Sequence, residues 1–141
     1  MNPKKNVVRK VVMIEDRPAD LFFTEECCKK LQFHVDLLFF NSGVDFFAYQ
    51  DHSTTLEVHF FLIDLNNAVM DGKKLIAKLR QHDKYVNTPV IIFSTSKSKH
   101  DILQSLNLGA NAYVTKPSNF EQFEETILSL FTFWGLHNLT I

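Results

Sequence analysis

The chain has 141 residues, with 15 Lys and Arg against 16 Asp and Glu and a formal net charge of −1 at pH 7. That balance gives no footing for nucleic acid, whose binders carry a basic face, and the basic stretch Lys4, Lys5, Arg9 and Lys10 reads as a solvated lead-in. No apolar run approaches the roughly 18 residues needed to cross a bilayer; 45% hydrophobic and 22% charged residues describe an ordinary globule of about one domain.

The N-terminus has no apolar stretch ahead of a small-residue cleavage site, so no signal peptide is expected. Cys27 and Cys28 are adjacent and are the only cysteines, which points to reduced thiols and a cytoplasmic protein. Fourteen Phe predict a core filled by rings.

Short apolar runs alternate with amphipathic stretches. The first strand is predicted over Lys10–Ile14 and the first helix over Pro18–Leu31, with Pro18 suited to its first turn. A second strand at His34–Phe39 leads to a helix at Val44–Gln50 capped by Ser42; Asp51–Leu56 reads as a polar surface loop. A third strand, Val58–Ile63, precedes a helix at Gly72–His82 with Asp71 as cap. Val90–Phe93 forms the fourth strand, and the helix Lys99–Leu108 stops at Gly109. Ala112–Thr115 is the fifth strand, and a helix from Asn119 to Trp134 opens on Ser118 and Glu121 as a capping box. Five successive strand–helix units predict an α/β fold: a doubly wound parallel sheet with helices on both faces.

Chemistry gathers at the strand ends. The third strand delivers Asp64 after six mostly apolar residues, the first ends in Glu15-Asp16, the fourth in Ser94, and the fifth in Lys116-Pro117. In a parallel sheet these ends share one edge, where α/β folds place their ligands. Glu15, Asp16 and Asp64 suit an oxygen-seeking cation such as Mg²⁺, and an Asp is able to form an acyl phosphate. Lys116 and Ser94 offer an ammonium and a hydroxyl to phosphoryl oxygens. Each has a plainer interpretation: adjacent acids as cap and solubility, Asp64 as a turn acid, Lys116 as a surface lysine, Ser94 as a turn residue. The six His show no zinc-ligand pairing, and no Gly-rich phosphate loop is present.

Taken together these motifs resemble the receiver domain of response regulators in two-component signalling. The resemblance covers about Val8 to Trp134 and rests on four pieces: Val11-Val12-Met13-Ile14-Glu15-Asp16; Phe61-Leu62-Ile63-Asp64-Leu65-Asn66 with Met70-Asp71-Gly72; Pro89 to Ser94; and Gly109-Ala110 with Tyr113-Val114-Thr115-Lys116-Pro117. It implies a flavodoxin-like (βα)5 sheet in the order 2-1-3-4-5, and a single receiver domain over residues 1–141 with no output domain. It implies Asp64 as phosphoacceptor, with Mg²⁺ held by Glu15, Asp16, Asp64 and the backbone carbonyl of Asn66. It further implies Lys116 on the phosphoryl group and Ser94 and Tyr113 as the switch pair. The phosphoryl donor would be a phosphohistidine on a sensor histidine kinase or phosphotransfer protein, and a downstream protein would read the output. The protein would be no enzyme beyond assisting its own phosphorylation and dephosphorylation.

Four positions depart from the family pattern: Glu15 replaces the commoner Asp, Ala68 stands where Pro is usual, Thr95 where Ala or Gly is common, and Asn66 occupies a site that tunes hydrolysis. Ala68 is expected to loosen the loop after Asp64. Arg17-Pro18-Ala19-Asp20, Ser94-Thr95-Ser96 and Phe133-Trp134 resemble the stand-alone regulators associated with bacterial phytochromes, which implies a dimer built on helix 4, strand 5 and helix 5. A phosphohydrolase of the haloacid-dehalogenase type is the competing enzyme reading. It requires a second Asp two residues after its nucleophile, where this chain has Asn66, and its nucleophile follows the first strand. A degenerate receiver acting only as a binding module is the other alternative; the intact set of Asp64, Lys116, Ser94 and two acids argues against it.

In the last helix, Phe120, Phe123, Ile127 and Leu130 supply one stripe for the sheet. Phe131, Phe133 and Trp134 spread around the helix, so they are expected at a homodimer interface. The opposing expectation is that Leu136 to Ile141 fold back over them.

Overall fold

A computed structural model describes residues 9–53 and 55–137. In chain order the elements are β1 (Arg9–Ile14), α1 (Pro18–Cys28), β2 (Val35–Phe40), α2 (Gly43–Asp51), β3 (Phe60–Ile63), α3 (Gly72–Arg80), β4 (Val90–Ser94), α4 (Lys99–Leu108), β5 (Ala112–Thr115) and α5 (Phe120–Thr132), followed by a π-helical turn at Phe133–His137. The five strands are parallel in the order β2-β1-β3-β4-β5, as the resemblance implies.

The central strands read as unbroken apolar runs because both of their faces are covered. Val12, Ile14, Phe61, Ile63, Val90 and Ile92 point to one face, against Phe46 of α2 and Leu75, Ile76 and Leu79 of α3. Val11, Met13, Phe60, Leu62, Ile91 and Phe93 point to the other, against Cys27 of α1 and Phe123, Ile127 and Leu130 of α5. Burial raises the pKa of both cysteine thiols, that of Cys28 up to about 12, and neither is bridged.

The caps follow the sequence closely. Ser42 accepts from the Asp45 amide, Asp71 from Lys73 and Ser98 from Asp101. Gly109 ends α4 at φ 119°, a left-handed conformation that costs glycine nothing. At α5 the cap is Asn119, which accepts from Gln122, rather than Ser118. Asn and Ser cap equally well, so their adjacency leaves the choice to packing.

Other departures have equally local causes. β3 begins at Phe60, not Val58; the His59 amide reaches the Lys10 carbonyl at 2.8 Å, where the strands first meet. The loop expected at Asp51–Leu56 starts after α2 and returns Leu56 to the core; Thr54 lies outside the described residues. Phe120, assigned to the sheet-facing stripe, is 52% exposed because it is the first residue of α5, and its ring leans on Phe23. Phe131, expected at an interface, is instead fully buried with its ring edge-on to Phe60. It follows Leu130 round the helix onto the same sheet-facing side, so it has no surface to offer a second chain. Phe133 remains 52% exposed, and Trp134 is half-buried against the α1/α5 cluster. Of the residues expected to cover these rings, 138–141 lie outside the described residues, as do Lys4 and Lys5.

Candidate functional site

Strand register builds the site. Ile14 lies beside Ile63, and Asp64 donates its amide to the Ile14 carbonyl at 3.0 Å, so Glu15 and Asp64 leave adjacent strands side by side. Ser94 lies beside Thr115, and the Lys116 amide bonds the Ser94 carbonyl at 2.7 Å. The four strand ends of β1, β3, β4 and β5 thus converge on the C-terminal edge of the sheet.

Glu15, Asp16 and Asp64 bring one carboxylate oxygen each within 4.8 Å of one another. Three hard oxygen donors at that spacing fit a divalent cation. Glu15 is fully buried, Asp64 nearly so, and Asp16 opens toward solvent. The Lys116 ammonium bonds Glu15 Oε1, bonds Asp20 Oδ2 at 2.8 Å, and stands 3.4 Å from Asp64 Oδ2, above the face of the Phe93 ring. Among the described residues the Lys116–Pro117 bond, like the rest, is trans.

Burial pushes the Glu15 carboxyl up to about 8, with Lys116 pulling the other way. Burial also acts against the charge of Lys116, but the bonds from Asp20 and Glu15 and the charge of Asp64 outweigh it, so its pKa is raised. An ammonium that stays charged beside Asp64 is what an incoming anionic group requires.

The loop after Asp64 is tied down. Gly72 donates its amide to the Leu65 carbonyl at 2.8 Å. A Cβ on Gly72 would meet Leu65 Cα at 2.7 Å and the Asp64 carbonyl oxygen at 2.9 Å, so α3 packs backbone to backbone against the loop. The Asn66 amide approaches Asp64 Oδ1 at 3.4 Å. Nearly buried Asn67 accepts from the Val69 and Met70 amides and donates to the Asn41 carbonyl. Ala68 donates its amide to Asp16 Oδ2 at 3.2 Å. The Ala68 amide thus ties the loop to Asp16 by a bond that Pro, which has no amide hydrogen to donate, is unable to make.

On the other side, fully buried Ser94 accepts from the Ser96 amide at 3.2 Å, and the Tyr113 hydroxyl donates to the Ser96 carbonyl at 2.8 Å. The Ser96 hydroxyl bonds Asp101 Oδ2, whose other oxygen holds Lys73. Ser94 and Tyr113 are thus joined through Ser96, not directly.

Three residues at the site were not assigned from sequence: Asp20, Asn67 and Ser96. Asp20 lies in the first turn of α1, two residues after Pro18 opens the helix, where the chain leaving β1 brings it back over the sheet edge. Asn67 carries the mark of an Asx turn only in retrospect of its buried position, and Ser96 is a polar loop residue like many others.

The family described as "Response regulator receiver domain" matches residues 11–128, and the chain belongs to that family. Its similarity to response regulator Rcp1 of Synechocystis sp. is 24% identity over 138 residues, 95% of this chain and 94% of the other. The crystal structure of Mn²⁺-bound Rcp1 superposes with a TM-score of 0.85 over 94% of this chain and 98% of that one. The phosphorylated cyanobacterial phytochrome response regulator RcpA is 24% identical with a TM-score of 0.88, covering 94% and 98% of the two chains. RPA3017, in red light signalling of R. palustris, is 29% identical with a TM-score of 0.82 over 93% and 96%. This is a response-regulator receiver, and family membership removes the dehalogenase alternative. No helix among the described residues is long and apolar enough to cross a membrane.

Proposed function

We propose that this protein is a phosphorylation-driven switch in which Asp64 accepts a phosphoryl group from a phosphohistidine of a sensor histidine kinase or phosphotransfer protein. A carboxylate oxygen of Asp64 attacks phosphorus as the phosphorus–nitrogen bond breaks and its electron pair stays on the imidazole. Mg²⁺, held by Glu15, Asp16, Asp64 and the Asn66 carbonyl, would neutralise charge on the phosphoryl oxygens. Lys116 meets a second phosphoryl oxygen and Ser94 a third, drawing the Ser96 segment and Tyr113 with it.

The observation that carries this reading is the placement of Asp64: within the three-acid cluster and 3.4 Å from a charged, buried lysine. The protein assists its own phosphorylation and dephosphorylation and turns over no other substrate, works in the cytoplasm, and carries a receiver whose output a downstream protein reads. The likenesses to RcpA and RPA3017 favour a bacterial-phytochrome kinase as the donor. Exposed Phe133 and half-buried Trp134 support a homodimer, which makes no use of Phe131. The test is labelling with acetyl phosphate: wild type should be phosphorylated in Mg²⁺ and not in excess chelator, and Asp64→Asn not at all. Equal labelling of the variant would refute the assignment.

A further inference from the structure

We propose that Asp20 is a positioning residue for Lys116: it holds the ammonium beside Asp64 once Glu15 has turned to the cation. The inference rests on the phosphoacceptor reading above, and adds to it a fourth acid that takes no part in the cation cluster.

Among the described residues Lys116 has three carboxylates around it, and two of them, Glu15 and Asp64, belong to the cluster that suits a divalent cation. A cation there repels the ammonium and competes with it for the same Glu15 carboxylate. Asp20 is outside that cluster, yet its Oδ2 lies 2.8 Å from the Lys116 ammonium. Among the described residues it is therefore the one carboxylate partner of Lys116 left uncommitted when the cation enters.

Asp20 is itself well fixed. It stands in the first turn of α1, where a carboxylate is favoured by the helix dipole. Its backbone carbonyl accepts from the hydroxyl of fully buried Thr24 at 2.7 Å. The pair is mostly sheltered, with the Lys116 side chain 4% exposed and that of Asp20 17% exposed, so water does little to weaken it.

Two consequences follow from this arrangement. Without Asp20, the carboxylate partners left to Lys116 are both cation ligands, so the lysine competes harder for Glu15 and the cation binds more weakly. The ammonium also loses the anchor that keeps it within reach of a phosphoryl oxygen on Asp64, so phosphoryl uptake slows. Both effects act through Lys116 and vanish when Lys116 is gone.

A double-mutant cycle reads this directly. Mg²⁺ affinity would be measured by calorimetry for wild type, Asp20→Asn, Lys116→Ala and the double variant, with thermal unfolding as a check on folding. Asp20→Asn should bind Mg²⁺ about tenfold more weakly than wild type, the lower end of what removing a residue behind a metal site costs, and should take up phosphoryl from acetyl phosphate more slowly. In the Lys116→Ala background the same substitution should change Mg²⁺ affinity by less than about twofold. Asp20→Glu, which keeps the charge, should restore most of the affinity. Wild-type affinity in Asp20→Asn, or an equal loss with and without Lys116, would overturn the proposal. If wild type binds Mg²⁺ and shows the coupling but is never phosphorylated, the phosphoacceptor reading fails while the hold of Asp20 on Lys116 stands.

Discussion

The amide of Ala68 donates to Asp16 Oδ2 at 3.2 Å, joining the loop after β3 to the acid pair after β1. This bond exists because the position carries an amide hydrogen. Ala68→Pro would delete it, leaving Asp16 without the donor that orients one of its oxygens. Orienting partners of metal ligands are worth roughly 10–100-fold in affinity, so Mg²⁺ binding to Ala68→Pro should weaken by about tenfold. Calorimetry would check this, and unchanged affinity would mean that Asp16 is oriented by other contacts.

The two acids after β1 are not equivalent. Glu15 already uses both oxygens, Oε1 for Lys116 and Oε2 for the Asp16 amide, and is fully buried. Asp16 is half-buried and engages one oxygen with Ala68. Asp16→Asn should therefore lower Mg²⁺ affinity more than Glu15→Gln does. The reverse order in a titration would exchange the roles assigned to the two side chains.

Ser94 and Tyr113 meet at Ser96 from opposite ends of its peptide units. Each bond contributes about 0.5–1.5 kcal/mol by usual measures. Ser94→Ala and Tyr113→Phe should each destabilise by that order, and the double variant should fall short of their sum by at least ~0.5 kcal/mol, as residues sharing one partner do. Denaturant unfolding of the four proteins is the measurement. Strict additivity would show that Ser96 does not couple them.

Phe133 is the large exposed ring at the C-terminal turn, edge-on to Trp134. Phe133→Ala should convert a dimer to a monomer in solution while leaving thermal stability near that of wild type, since little of the ring is buried. Light scattering with and without acetyl phosphate would decide it: a monomeric wild type under both conditions, or a variant that stays dimeric, removes the interface.

Strand composition made the sheet legible. Val11 to Ile14, Phe60 to Ile63 and Val90 to Phe93 are apolar on both faces, and few folds other than a covered parallel sheet accept that pattern. The gathering of Glu15, Asp64, Ser94 and Lys116 at its edge was legible for the same reason, because they break those runs at their ends. What escaped was set by three-dimensional approach. Asp20 meets a lysine 96 residues away, and Ser96 becomes a junction only once β4 and β5 are paired. Phe131 went to the wrong side because helical spacing alone does not say how wide a face the sheet covers; α5 buries Leu130 and Phe131 together.

Gly72 gives the site two unlike walls. On the α3 side, backbone rests on backbone with no room for a methyl group, so that wall behaves as an anvil beneath Asp64. On the β4 side, Ser94, Ser96, Asp101 and Tyr113 are laced by side-chain hydrogen bonds that a new charged neighbour is able to rearrange. If Asp64 takes up a phosphoryl group as proposed, the strain would be expected to pass toward α4 and β5 rather than into α3.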